Sequence, residues 1–155
     1  MRKGRHSVFL LRYHLVFVIK DRQPVITKEI GDYLLAETKR LLKLWEGDLI
    51  DGNYEKDHIH LLIDMSPKYE LSKYIGTLKH RLAKLVQEKY PDEVRQYLWH
   101  NAFWTESYYI ASVGETNLAT IQEYIEKQGT KRTHNKKNNA YWQKVKKKND
   151  LSSPT

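Results

Sequence analysis

Apolar and polar residues alternate from Val8 to Ile19, with Phe9, Leu11, Tyr13, Leu15, Phe17 and Ile19 in one phase and Arg12 and His14 in the other. Successive strand side chains point to opposite sides of a sheet, so this pattern predicts one long strand with a core face and a usable second face. Turn signals from Asp21 to Pro24 follow, and Thr27 is placed to cap a helix carrying Ile30, Leu34, Leu35, Leu41, Leu42 and Trp45, which Gly47 ends. Leu49 to Tyr54 predicts a short strand, turned by Tyr54 to Asp57 into the run His58-Ile59-His60-Leu61-Leu62-Ile63-Asp64, which together predict a hairpin. After Pro67, a second amphipathic helix bears Leu71, Tyr74, Ile75, Leu78, Leu82, Leu85 and Val86 and closes at Pro91. Asp92 to Asn101 reads as a loop or short helix, and Phe103 to Val113 as one long strand or two short ones. Beyond Gly114, Thr116 or Asn117 can cap a third helix bearing Leu118, Ile121 and Ile125.

The order is strand, helix, strand, strand, helix, strand, with a helix appended. It predicts an α+β fold: a ferredoxin-like antiparallel sheet with helices on one face and the other face open to ligand. The histidine strand is central in such a sheet. Ile59, Leu61 and Ile63 then face the core, while His58 and His60 share the open side.

Paired imidazoles on an open sheet face point to metal chemistry, because neutral imidazole is a common ligand of divalent ions. A catalytic site wants a third protein ligand and an open position. Tyr124 and Gln128 stand four residues apart on the appended helix, hence on one face. Gln128 offers a carbonyl oxygen, and a donor set of two imidazoles, an amide and water suits Mg²⁺ or Mn²⁺. Tyr124 then stands beside the metal as a phenol able to attack an electrophile. Asp57 and Asp64 flank the metal strand, either as turn and strand-end residues or as partners that orient an imidazole. His14, on the same open face, is a further ligand, a DNA contact or an ordinary strand histidine.

Charge adds a partner. The 155-residue chain carries a net charge of +8, and from Gly129 onward eight Lys or Arg face one acid, Asp150, leaving the body nearly neutral. A neutral body with a basic tail fits a polyanion-binding arm or a solvated solubility segment. Tyr141 and Trp142 within the tail either stack on bases or dock on the body. The chain has no cysteine, which excludes disulfides and thiolate metal sites and suits a reducing cytosol. Arg12 and His14 interrupt the only long apolar run, so no membrane association is expected.

These residues together resemble the HUH single-tyrosine transposases, small enzymes of bacterial insertion sequences that move as single-stranded DNA. The resemblance rests on the long first strand, the block Lys56-Asp57-His58-Ile59-His60-Leu61-Leu62, the helix from Lys73-Tyr74-Ile75 to Lys79, Phe103-Trp104, Ser112-Val113-Gly114, and Tyr124-Ile125-Glu126-Lys127-Gln128. It implies a catalytic domain over residues 1–130 followed by a basic tail over 131–155, in a DNA-associated cytoplasmic protein. It implies that His58, His60 and Gln128 hold one divalent cation, Mg²⁺ or Mn²⁺, at the scissile phosphate. Tyr124 would then attack phosphorus, giving a 5′-phosphotyrosine and a free 3′-hydroxyl, on single-stranded DNA that contains hairpins. It also implies a homodimer in which the tyrosine helix of one subunit completes the histidine site of the other, with Gly114 as hinge. Arg12, His14, Lys79, Arg81, Lys131 and Arg132 are the candidate DNA contacts. Two other readings compete: a non-cleaving regulator that grips hairpin nucleic acid with the same sheet, and a metal hydrolase of small phosphoesters, which leaves tail and tyrosine without purpose.

Overall fold

A computed structural model of the protein describes residues 2–3, 8–9, 11–99 and 102–129. The expected strand from Val8 to Ile19 is divided. Arg2–Lys3 (β1) pairs antiparallel with Val8–Phe9 (β2) as a separate ribbon, and the strand of the main sheet is Arg12–Val18 (β3). Alternation cannot distinguish these cases, because both pieces keep the same apolar phase. Helix α1 (Lys28–Leu44) begins at Thr27, whose side chain accepts a hydrogen bond from the Ile30 amide. The hairpin follows as β4 (Asp48–Glu55) and β5 (His58–Asp64), then α2 (Leu71–Lys89), a short α3 (Pro91–Arg95), β6 (Tyr109–Ser112) and α4 (Leu118–Lys127). The four-stranded sheet runs β4-β5-β3-β6 with every neighbour antiparallel, which is the ferredoxin-like order, and β5 is central.

One face of this sheet makes the main core. Leu15, Phe17 and Ile19 of β3 and its exit, with Ile59, Leu61 and Ile63 of β5, pack under Ile30, Leu34, Leu41 and Leu42 of α1 and Ile75, Leu78, Leu82 and Val86 of α2. Gly31 lets the two layers close, since a Cβ there would lie 2.3 Å from the ring of Tyr54. A bulge between Leu49 and Asp51 keeps Leu49 against this core while turning Asp51, Asn53 and Glu55 to the same side as His58 and His60.

The second face is less open than the sequence predicts. Helix α4, capped by Asn117, lies across it and buries Ile121 and Ile125 on Val16 and Val18 of β3. The apolar stripe of α4 has to go somewhere, and Val16 and Val18 are the two apolar side chains that β3 shows on that face. The segment after α3 is also two pieces. Trp104 bridges Ile19 and the Thr105 amide donates to the Val18 carbonyl, while regular pairing resumes only at Tyr109 opposite Val16. Residues between them loop outward and carry Ser107 to the α4 side.

Candidate active site

The histidine face holds Arg12, His14, Val16 and Val18 from β3, and His58, His60, Leu62 and Asp64 from β5, as the register requires. Asp57 occupies the hairpin turn, which is fixed by bonds from the Ile19 amide to the Asp57 carbonyl and from the Ile26 amide to the Lys56 carbonyl. From there its Oδ1 accepts a hydrogen bond of 2.8 Å from His58 Nδ1–H. That bond fixes the tautomer and puts the lone pair of His58 on Nε2. Asp57 therefore fills both roles open to it: its backbone makes the turn and its carboxylate orients the imidazole. Burial pushes the Asp57 carboxyl up, but the hydrogen bond and charge of His58 and the guanidinium of Arg22 outweigh it and leave the group below its ordinary range.

His60 lies beside His14, with Nε2 and Nδ1 3.0 Å apart, so one ring must donate to the other. Burial and the neighbouring imidazoles His14 and His58 press the His60 pKa down to about 4. Burial also lowers that of His14. Neutral rings with lone pairs are the form a divalent ion binds. The donor set therefore fits a metal, although among the described residues no three His, Asp or Glu side chains converge as a metal cluster. Two imidazoles would need an oxygen donor of another kind.

Tyr124 and Gln128 stand together on the other side of β3. The Tyr124 ring packs on Tyr109 with centroids 5.6 Å apart, and its hydroxyl lies 2.7 Å from Ser107 Oγ. Ser107 also reaches Gln128 Oε1 at 3.2 Å. Because Ser107 has a single proton, donation to the amide requires Tyr124 to donate to Ser107, which makes a chain from phenol to hydroxyl to amide oxygen. Burial raises the phenol pKa above its usual value, and the hydrogen bonds of Ser107 and Thr105 recover part of that rise. The resting phenol is protonated. Strands β5 and β6 flank β3, two strand spacings or ~10 Å apart, so the β5 imidazoles and the phenol packed on Tyr109 of β6 occupy opposite banks of β3.

Two side chains that carried no signal in the sequence organise this arrangement. Arg22, buried and left-handed at φ 51°, donates from Nε to Asp57 Oδ2 and from Nη1 to the Glu126 carbonyl in the last turn of α4, each at 3.3 Å. Ser107 holds the tyrosine hydroxyl. Arg22 reads only as part of a turn, and its partners lie 35 and 104 residues away.

The expected DNA contacts are scattered. Arg12 and His14 share the histidine face, and Arg12 Nε is buried with no hydrogen-bond partner among the described residues. Lys79 is engaged elsewhere: its ammonium donates to the carbonyls of Thr105, Glu106 and Ser107 at 2.5, 2.9 and 3.3 Å. Burial lowers its pKa. It therefore holds the loop that presents Ser107. Arg81 is exposed on α2, in the helix layer behind the sheet. Lys131 and Arg132, with the whole basic tail, lie outside the described residues.

Residues 7–128 match the family model described as "Transposase IS200 like". The chain is 33% identical over 131 residues to the ISDra2 transposase TnpA of Deinococcus radiodurans, covering 84% of this chain and 93% of that protein. It is 29% identical over 123 residues to the transposase for insertion sequence element IS200 of Salmonella typhimurium, covering 79% of this chain and 80% of the relative. A crystal structure of a candidate transposase from Deinococcus radiodurans R1 superposes with a TM-score of 0.75 at 29% identity, covering 84% of this chain and 99% of that one. The histidine strand and the helix carrying Tyr124 and Gln128 both fall within the matched span, and the chain belongs to the IS200-like transposase family.

Proposed function

We propose that this transposase cuts and rejoins single-stranded DNA at hairpin-bearing insertion-sequence ends through a tyrosine-linked intermediate. The observation that carries this reading is the sharing of one sheet face by the paired imidazoles of β5 and the helix that bears Tyr124. Attack by the Tyr124 oxygen on phosphorus forms a 5′-phosphotyrosine and breaks the bond to the 3′ oxygen, which leaves as a hydroxyl after taking up a proton. Attack by a 3′-hydroxyl reverses the step and restores the phenol. A phenol pKa near ~10 makes the link a better leaving group than a serine ester, so the exchange needs no nucleotide cofactor.

His58 and His60, with Gln128 as an oxygen donor, would hold Mg²⁺ or Mn²⁺, which supplies charge neutralisation at the scissile phosphate. Gln128 must turn away from Ser107 to do so, which leaves Tyr124 free of the Ser107–amide chain, and the phenol proton then passes to solvent water as the new bond to phosphorus forms. A movement of α4 is thus built into this reading. The expected homodimer, with the helix of one protomer serving its partner, is one way to achieve that movement.

The test is incubation of the protein and of Tyr124→Phe with hairpin-containing single-stranded DNA and Mn²⁺, followed by denaturing electrophoresis. A covalent protein–DNA adduct that disappears in Tyr124→Phe is expected. An adduct that persists in the variant overturns the nucleophile, and tight binding without any adduct favours the non-cleaving regulator.

A further inference from the structure

We infer that Arg22 is a positioning residue that couples the orientation of the His58 imidazole to the seating of the last turn of α4. This rests on the proposed metal role of His58. Three observations carry it. Arg22 Nε donates to Asp57 Oδ2 at 3.3 Å while Oδ1 of the same carboxylate accepts from His58 at 2.8 Å, so the guanidinium fixes the carboxylate that fixes the ring. Its Nη1 reaches the Glu126 carbonyl at 3.3 Å, two residues before Gln128, so the same planar group grips the end of the tyrosine helix. And the backbone adopts an unfavourable form to place it: Asp21 and Arg22 stand at φ 56° and 51°, with the Arg22 side chain almost wholly buried. Left-handed backbone at consecutive non-glycine residues is sterically unfavourable and persists only where surrounding contacts enforce it.

The chemistry suits arginine in particular. A rigid guanidinium donates from separate nitrogens of one planar fork and stays charged at any working pH, whereas a lysine ammonium presents all its donors from a single atom on a flexible stem and cannot reproduce that fork. A carboxylate that hydrogen-bonds a ligand histidine sets the tautomer and basicity of that ligand, and loss of such a partner typically weakens metal binding by about 10- to 100-fold. Through Arg22, the histidine face registers whether α4 is seated, because departure of α4 takes the Glu126 carbonyl from the guanidinium that also holds Asp57.

The test compares wild type, Arg22→Gln, Arg22→Lys and Asp57→Asn in the full chain without DNA. Mn²⁺ affinity is read by electron paramagnetic resonance, and seating of α4 by hydrogen exchange at the Ile125 and Lys127 amides. Arg22→Gln is expected to weaken Mn²⁺ binding about 10- to 100-fold and to speed exchange about tenfold, the effect of one lost charge-assisted hydrogen bond. Asp57→Asn should weaken Mn²⁺ binding while exchange in α4 stays slower than in Arg22→Gln. Arg22→Lys should restore one readout more than the other. It also replaces Arg22→Gln if that variant does not fold, in which case wild-type values for both readouts overturn the proposal. Unchanged Mn²⁺ affinity in a folded Arg22→Gln, beside normal binding by wild type, overturns the coupling and leaves Arg22 a residue of the fold. Absence of Mn²⁺ binding by wild type instead overturns the metal reading itself, and the His58 half of this inference with it.

Discussion

The two faces of the sheet are built from the same strands, yet they are held in opposite ways. On one, side chains from β3, β5, α1 and α2 interlock in a continuous core with Phe17, Leu61 and Leu78 fully buried. On the other, α4 rests Ile121 and Ile125 on only two buried aliphatic residues of the sheet, Val16 and Val18, with Tyr109 and Tyr124 at the margin. Burial of Ile121 and Ile125 contributes about 1.5–3 kcal/mol each, and ordering the helix takes back much of that. The first face specifies the fold. The second holds its helix on a much smaller apolar patch, which is compatible with the proposed movement of Tyr124 relative to the proposed metal ligands.

Removing a ring from the first face should have the largest effect. Phe17→Ala deletes contacts with Trp104 and Tyr108 and is expected to cost about 3–5 kcal/mol of global stability, read as a lower urea midpoint. Ile125→Ala makes a comparable deletion on the second face. It should cost about 2 kcal/mol, appearing as faster exchange in α4 alone while the urea midpoint of the sheet barely shifts. A matching drop in both would show that the two faces unfold as one unit and would remove the contrast. Smallest is Lys79→Met, which cuts the tie from α2 around the sheet edge to the Ser107 loop. A loss of about 1 kcal/mol is expected, with easier proteolysis near residues 105–108 and a looser Tyr124. An unchanged loop would mean that Trp104, whose Nε1–H donates to the Lys79 carbonyl, holds that edge without help from the ammonium.

The core face is legible in the chain because it depends on local periodicity. The phase of Ile59, Leu61 and Ile63 says which side is buried and thereby places His58 and His60 opposite, and Thr27 and Asn117 cap the helices they precede. The same logic falls short where two arrangements share one phase, as at the break between β2 and β3, or where a strand loops out, as between Trp104 and Tyr109. It also misjudged what the open face meets, since the stripe on α4 shows that the helix needs an apolar partner without saying which one. Lys79, expected as a DNA contact, is instead engaged by the carbonyls of the Ser107 loop.

What the sequence determined by itself is therefore the helices and the central hairpin, the sidedness of the histidine pair and a set of candidate residues for chemistry, because each follows from spacing along a few turns or one strand. Only the tertiary structure decided that α4 sits on the histidine face, that Ser107 holds Tyr124 and that Arg22 joins Asp57 to the end of that helix. Those contacts join residues 17, 35 and 104 positions apart. No local pattern records them, because they arise from how packed layers bring distant loops together.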